Sequence, residues 1–271
     1  MPEPRPVPVT VPVVRAAKRR AGHAPLVMVT AYDAPGARIA DAAGVDLILV
    51  GDSVANNVLG YENTMQVTVE DMAHHTAAVA RAKPRPLIVA DLPWMSYHLD
   101  PVDTVRNAAT LIRAGAQAVK LEGGSNRVPM IEALVSAEIP VMGHLGLTPQ
   151  SFHVMGGFRV QGRDDAAAHA LAVGAKDIEA AGCFAVVLEG VPERVGTSIT
   201  TALEVPTIGI GAGPDCDGQV LVFHDLLGFN PTVPKFVRRY AELGDAATAA
   251  LAHYADDVRS GAFPASAEVY H

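Results

Sequence analysis

"IRAGAQAVKLEGG", residues 112–124, contains one full step of the fold. An alanine-rich run with helical spacing stops at Gly115, a residue type that ends helices because it enters a left-handed conformation without a Cβ clash. A strand-like run, 117–124, follows at once. Inside it Lys120 and Glu122 are two residues apart. Period-2 alternation therefore points both to one side of a strand and Leu121 to the other. "DAAGVD" (41–46) and "EAAGCF" (179–184) repeat the same joint, a helix ending at glycine with a strand directly behind it.

Working outward, short apolar runs rich in Val and Ile recur at 26–33, 46–52, 86–93, 117–124, 139–146, 183–190, 205–213 and 218–228. Continuous rather than alternating runs are how strands buried on both faces read, as in parallel sheets. Between them, 35–44, 70–82, 102–114, 127–137, 165–181 and 192–202 have helical spacing. Alternating β and α elements imply a parallel sheet. Eight strands over about 200 residues suit a (β/α)₈ TIM barrel, an α/β fold; a doubly wound open sheet is the alternative. No G-x-G-x-x-G follows the first run, which counts against a dinucleotide fold. Only the loop 211–217 joins the seventh run to the eighth. The stretch 234–258 reads as one or two helices that either close the barrel or pack on a neighbouring subunit.

Residues 1–12, "MPEPRPVPVTVP", read as a proline-rich arm outside the core, because proline fixes φ and removes backbone donors. Residues 13–271 then form a single barrel domain with C-terminal helices. "VVRAAKRRAG" (13–22) reads as a short basic helix whose Arg15, Lys18, Arg19 and Arg20 face water.

The net charge of −8 gives the chain no reason to seek nucleic acid or an anionic membrane. An anionic ligand would need positive charge supplied locally, by a lysine or a metal. No apolar run approaches the ~20 residues of a membrane helix. The two cysteines form no disulfide framework, and a reducing, cytoplasmic location is expected. Cys183 reads as a small buried residue at a strand entry, and Cys216 as part of a polar loop.

The ends of the runs are polar. Asp33 closes the first, Asp52 and Ser53 the second, Asp91 the third, Lys120 and Glu122 the fourth, His144 the fifth and Glu189 the sixth. In a (β/α)₈ barrel all these ends converge on the face that carries the active site. One acid at a strand end is commonly a helix cap, and Asp33 before "APGARIA" fits that role. The remaining carboxylates, with a lysine and a histidine, are too many for caps. Clustered carboxylates repel unless a cation or protons compensate. Hard oxygen ligands favour Mg²⁺, and Cys–His zinc spacing is absent. A metal beside a lysine suits an α-keto acid, whose carbonyl it polarises while a carboxylate takes the proton from the neighbouring carbon.

The motifs "TAYDAPGARIADAAGVDLILVGDS" (30–53), "VADLPWMSY" (89–97), "AVKLEGG" (118–124), "GHLGLTPQSFHVMGGFRVQGR" (143–163), "LEGVP" (188–192) and "IGIGAGPDCDGQVLVFHDLLG" (208–228) resemble the ketopantoate hydroxymethyltransferase family. The resemblance runs from about Val11 to the C-terminal helix. It implies a barrel of the phosphoenolpyruvate/pyruvate type. It also implies Mg²⁺, and transfer of a hydroxymethyl group from 5,10-methylenetetrahydrofolate to 3-methyl-2-oxobutanoate, forming ketopantoate. A homodecamer is implied as well. Carried over by position, Asp52, Asp91 and Glu122 would hold the metal. Ser53 and Lys120, with Asp52, Asp91 and His144, would contact the keto acid, and Glu189 would be the base. The stretch 145–163, read as a loop without a helix, would cover the mouth. Within it His153, Arg159 and Arg163 either bind folate carboxylates or support the loop. His74 and His75 read as structural or solvated, Met65 and Trp94 as packing. The rival readings are a Mg²⁺-dependent carbon–carbon lyase of the isocitrate lyase type, which would need a reactive cysteine on a mobile loop, and a non-catalytic scaffold.

Overall fold

Strand pairing in the computed structural model, which describes residues 7–19 and 22–270, settles the architecture. The strands are β1 Leu26–Thr30, β2 Leu47–Val50, β3 Leu87–Asp91, β4 Ala118–Glu122, β5 Val141–Gly146, β6 Ala185–Glu189, β7 Thr207–Ile210 and β8 Gly218–Leu221. Each pairs in parallel with the next, and β8 returns to β1, so the sheet closes into a barrel. The open-sheet alternative is excluded. All eight strands fall inside the expected apolar runs.

Before the barrel lies α1 Val11–Ala16. Around it run α2 Ala34–Ala42, α3 Val69–Arg81, α4 Pro101–Ala114, α5 Val128–Ser136, α6 Phe152–Met155, α7 Asp165–Ala180 and α8 Glu193–Ala202. Asp33 caps α2 as expected, its Oδ1 accepting from the Gly36 N–H at 2.7 Å. Gly115 ends α4 with φ of 114°. A Cβ there would meet Ala80 of α3, so the joint also lets the two helices touch. No helix joins β7 to β8. The stretch 145–163 departs from expectation: Pro149–Ser151 form a 3₁₀ turn that leads into the single turn α6, stopped by Gly156 at φ 65°. Proline pre-sets φ for such a first turn, and the sequence pattern is too short to announce it.

Inside the barrel the strands alternate by parity. Leu47 and Leu49, Leu87 and Val89, Ala118, Met142, Val187, Ile208 and Val220 belong to one buried cluster. Moving along each strand by twos from these residues leads to Asp91, Lys120, Glu122, His144 and Glu189. The apolar layers and the polar layer are thus one face of the same sheet, divided by height.

The opposite end of the barrel corrects two expectations about the N-terminal segment. Val9, Val14 and Ala17 join the barrel cluster, beside Leu26 and Phe184 at the starts of β1 and β6, so part of the arm is core. Lys18 is buried rather than solvated. Its Nζ donates to Asp217 Oδ2 at 2.7 Å and to the Thr200 carbonyl at 2.8 Å. Asp217, just before β8, also accepts from the backbone N–H groups of Arg19 and Thr207. An ammonium on a four-carbon stem is tolerated in this buried position because a carboxylate and a backbone carbonyl both accept from it. Arg15 and Arg19 are exposed as expected; Arg20 lies outside the described residues, as do residues 1–6 of the arm.

The chain divides into two compact units, Met1–Val222 and Phe223–His271. In the second, α9 Phe223–Leu226 leads to α10 Leu243–Ser260, held by Tyr240 N–H to the Leu226 carbonyl and Leu243 N–H to the Leu227 carbonyl. The expected helical stretch 234–258 is helical only from Leu243. Leu251, Tyr254 and Val258 of α10 are exposed. Among the described residues no helix is long and apolar enough to cross a membrane.

Two outcomes follow. Lys18→Ala leaves Asp217 buried without its counter-charge and is expected to lower unfolding free energy by about 3–5 kcal/mol, read by denaturant titration. A loss under about 1 kcal/mol would mean a solvated pair. Both cysteines are buried, and burial pushes the Cys183 thiol up to about 12 and raises that of Cys216. The folded protein should therefore resist a thiol-specific disulfide reagent at pH 8, and both thiols should react after denaturation. Rapid labelling of either in the native state would contradict their packing.

Candidate active site

The register of the parallel strands sets the site. Asp91 of β3 stands level with Lys120 of β4, Glu122 with His144 of β5, and Gly146 with Glu189 of β6. A cavity at this end of the barrel is lined by Asp52, Ser53, Asp91, Lys120, Glu122, His144 and Glu189, together with Thr30, Pro149 and an apolar wall that includes Val187 and Ile210. Every residue expected from the strand ends, apart from the cap Asp33, is brought to one place. Lys120 and Glu122 do share a face.

The contacts form one network. Lys120 Nζ lies 3.0 Å from Asp91 Oδ1, and both side chains are almost fully buried. Asp91 Oδ2 accepts from the Asp52 backbone N–H at 3.0 Å. On the other side, Lys120 Nζ is 3.1 Å from His144 Nδ1. His144 lies between two acids, with Nδ1 3.4 Å from Glu122 Oε1 and Nε2 3.3 Å from Glu189 Oε2. Tyr32 shares a hydrogen bond of 2.9 Å with Ser53 Oγ, and His75 Nδ1 meets the Tyr32 carbonyl at 2.7 Å, which gives His75 a structural role.

Charge is out of balance. Burial, then Asp91 and Glu122, push the Asp52 carboxyl up to about 8. Burial also raises Asp91, against the pull of Lys120. Burial alone would lower Lys120, but Asp91, Glu122 and Asp52 outweigh it and raise the ammonium above its ordinary value. Burial and Lys120 pull the His144 imidazole down, while Glu122 and Glu189 raise it to about 9. An imidazolium would set two donors against each other at the 3.1 Å contact with Lys120, since an ammonium has no lone pair. The contact suits a neutral ring whose Nδ1 accepts from Lys120 and whose Nε2–H faces Glu189. A cation on the carboxylates would remove the field that raises the ring.

That imbalance is the test for a divalent metal. Asp52, Asp91 and Glu122 are buried beside one ammonium, a donor set short of positive charge and made of hard oxygens. Among the described residues no three His, Cys, Asp or Glu side chains form a ready-made metal shell. What suits Mg²⁺ is the chemistry of the donors, hard carboxylate oxygens with surplus negative charge, of which it commonly takes one or two.

Two participants carried no signal in the sequence. Gln150, in the 3₁₀ turn after β5, is buried and donates from Nε2 to Asp52 Oδ2 at 2.9 Å. Tyr97, six residues past Asp91, donates to Gln150 Oε1 at 2.5 Å. Neither is charged, and neither stands at a strand end. His153, Arg159 and Arg163 are exposed and do not line the cavity. Trp94 is 41% exposed, so it is not the packing residue expected; the turn after β3 carries it outward. Met65 is half-buried. Neither cysteine lines the cavity, and Cys216, although it stands in the 211–217 loop beside exposed Pro214 and Asp215, has a buried side chain, so the reactive cysteine required by the lyase alternative is not found among the described residues.

Comparison with known proteins agrees with the geometry. The family model described as ketopantoate hydroxymethyltransferase matches residues 8–266. A 3-methyl-2-oxobutanoate hydroxymethyltransferase of Methylobacterium sp. (strain 4-46) is 57% identical over 262 residues, 96% of this chain and 90% of that protein. That of Moorella thermoacetica is 57% identical over 258 residues, 94% of this chain and 95% of its own. Among solved structures, phosphonopyruvate hydrolase in complex with oxalate and Mg²⁺ superposes with a TM-score of 0.63 at 14% identity, covering 96% of this chain and 91% of that one. 2,3-Dimethylmalate lyase, a member of the PEP mutase/isocitrate lyase superfamily, gives 0.63 at 17%, covering 98% and 93%. These distant structures share the barrel; the relatives at 57% identity and the family model show the family. The chain belongs to the ketopantoate hydroxymethyltransferase family and is a hydroxymethyltransferase.

Proposed function

We propose that the protein transfers a hydroxymethyl group from 5,10-methylenetetrahydrofolate to 3-methyl-2-oxobutanoate, giving ketopantoate for pantothenate and coenzyme A synthesis. The observation that carries this reading is the convergence of Asp52, Asp91, Lys120, Glu122, His144 and Glu189 on one cavity. A biosynthetic enzyme of this kind works in the cytoplasm, and as a family member it assembles as a homo-oligomer, a decamer.

Asp52 and Asp91 would hold Mg²⁺, with Glu122 completing its shell directly or through water. When bound, the metal supplies Lewis acidity toward the carbonyl of the keto acid. The chain's own groups do the remainder. Lys120 and Ser53 bind the carboxylate and carbonyl side of the substrate; the ammonium is held rigid by Asp91, so it meets the anion without reorganising. The apolar wall of Val187 and Ile210 accepts the isopropyl end and keeps water from the carbanion. Glu189 takes the C3 proton. Its side chain is 15% exposed at the cavity, and one of its oxygens lies 3.3 Å from His144 Nε2. Water cleaves both C–N bonds of the methylene unit, its two hydrogens going to the folate nitrogens, so that tetrahydrofolate leaves and the one-carbon unit is set free as formaldehyde. The carbanion then adds to that carbon, and the new alkoxide takes back the proton from Glu189.

The test is exchange of the C3 proton of 3-methyl-2-oxobutanoate in D₂O, followed by NMR with protein and Mg²⁺. Exchange is expected with the wild type, to vanish with a chelator, and to fall by about 10²–10⁴-fold in Glu189→Gln with substrate binding retained. Exchange that survives Glu189→Gln would assign the base elsewhere. No exchange in the wild type, with or without tetrahydrofolate, would overturn the keto-acid reading and favour a scaffold.

A further inference from the structure

The Gln150 side chain joins two parts of the molecule that the reaction as described leaves separate. Its amide is fully committed. Nε2 donates to Asp52 Oδ2 at 2.9 Å and to the Leu92 carbonyl at 3.0 Å, and Oε1 accepts from the Tyr97 hydroxyl at 2.5 Å. Its backbone N–H donates to Glu122 Oε2 at 3.1 Å. The Tyr97 hydroxyl, its one proton spent on Gln150, accepts from the Glu122 backbone N–H at 3.2 Å.

Two consequences follow from this pattern. First, the amide cannot turn over. A flipped Gln150 would set its oxygen against the Asp52 carboxylate and the Leu92 carbonyl, both acceptors only. The direction of the whole chain is therefore fixed: Glu122 N–H to Tyr97 O–H to Gln150, and Gln150 N–H to Asp52. Second, one residue donates to two of the carboxylates assigned to the metal, through its side chain on Asp52 and through its backbone on Glu122. A donor on one carboxylate oxygen leaves the other oxygen to a cation and fixes the plane of the group. Gln150 also stands in the Pro149–Ser151 turn, at the root of the 147–163 loop, whose outer part exposes Val154 and Phe158. Gln150 and Tyr97 are themselves buried, so water does not substitute for either partner.

We propose that Gln150, held by Tyr97, is a positioning residue that sets the Asp52 and Glu122 carboxylates for the metal and fastens the root of the 147–163 loop to them. The metal centre and the loop are then one linked unit. A cation that stiffens Asp52 and Glu122 stiffens the loop root, and a loop held in place presents the carboxylates, with equal coupling in both directions. The inference rests on the magnesium site proposed above.

The experiment uses Mn²⁺ as the probe, counted by the electron paramagnetic resonance signal of the free ion, and backbone hydrogen–deuterium exchange across 147–163. In the wild type, Mn²⁺ is expected to slow exchange in this loop. Gln150→Met keeps the length and removes the amide. It should weaken Mn²⁺ binding by about 10–100-fold, as loss of an outer partner of a metal ligand does, and should erase the metal-dependent protection. Tyr97→Phe, which keeps the buried ring, should act in the same direction. The double variant should be no worse than Gln150→Met alone, because the two act through one chain. Should Gln150→Met fail to fold, Tyr97→Phe carries the same comparison. Mn²⁺ affinity within twofold of wild type in a folded variant, or loop exchange in the wild type indifferent to Mn²⁺, would overturn the linkage. Absence of any Mn²⁺ binding by the wild type would remove the metal reading itself, an outcome distinct from indifference of the variants.

Discussion

Asp91 and Lys120 face each other across neighbouring parallel strands at 3.0 Å, nearly sealed from water. Two buried charges are tolerated only if each is met by the other and by further hydrogen bonds. Asp91 has the Asp52 backbone N–H as a second partner, and Lys120 has His144. Removing either charge would leave a buried ion uncompensated. The pair therefore anchors the whole polar layer. From it the network passes to Asp52 on one side, and through His144 to Glu122 and Glu189 on the other.

What the pair does not do is balance the site. Asp52 and Glu122 remain beside it as further buried carboxylates, and burial, then repulsion from Asp91 and Glu122, raises Asp52 to about 8. A folded chain that keeps such a surplus is less stable than an apolar barrel end would be. Stability comes instead from elsewhere, above all from the apolar layers below. The division matches the general anatomy of these barrels, with one face given to chemistry and the other to holding the fold.

Glycine has a local part in this arrangement. Gly146 ends β5 at φ 94°, and a Cβ there would lie 2.2 Å from the Glu189 carbonyl. Its bare backbone lets Leu147 N–H reach that same carbonyl at 2.7 Å. Strand β5 therefore leaves the barrel pressed against the end of β6. Pro149 is thereby delivered to the cavity wall and Gln150 to Asp52. The path from a strand-end glycine to a buried amide on Asp52 is only four residues long, and it links backbone conformation directly to the placing of the Asp52 carboxylate.

The sequence by itself determined the barrel and its charged rim. Helix-ending glycines followed by apolar runs, as in 112–124, are local features, and period-2 alternation within a strand is enough to put Lys120 and Glu122 on one face. Closure of a parallel sheet then gathers Asp52, Asp91, His144 and Glu189 without further instruction. Tertiary structure alone decided the rest. Gln150 meets Asp52 across 98 positions and Lys18 meets Asp217 across 199. No periodicity reports a partner that distant. An uncharged amide in a turn and a lysine in a basic run have ordinary surface explanations in the sequence. Their burial depends on which backbone and carboxylate oxygens the closed barrel brings within reach, and those positions exist only once all eight strands are in register.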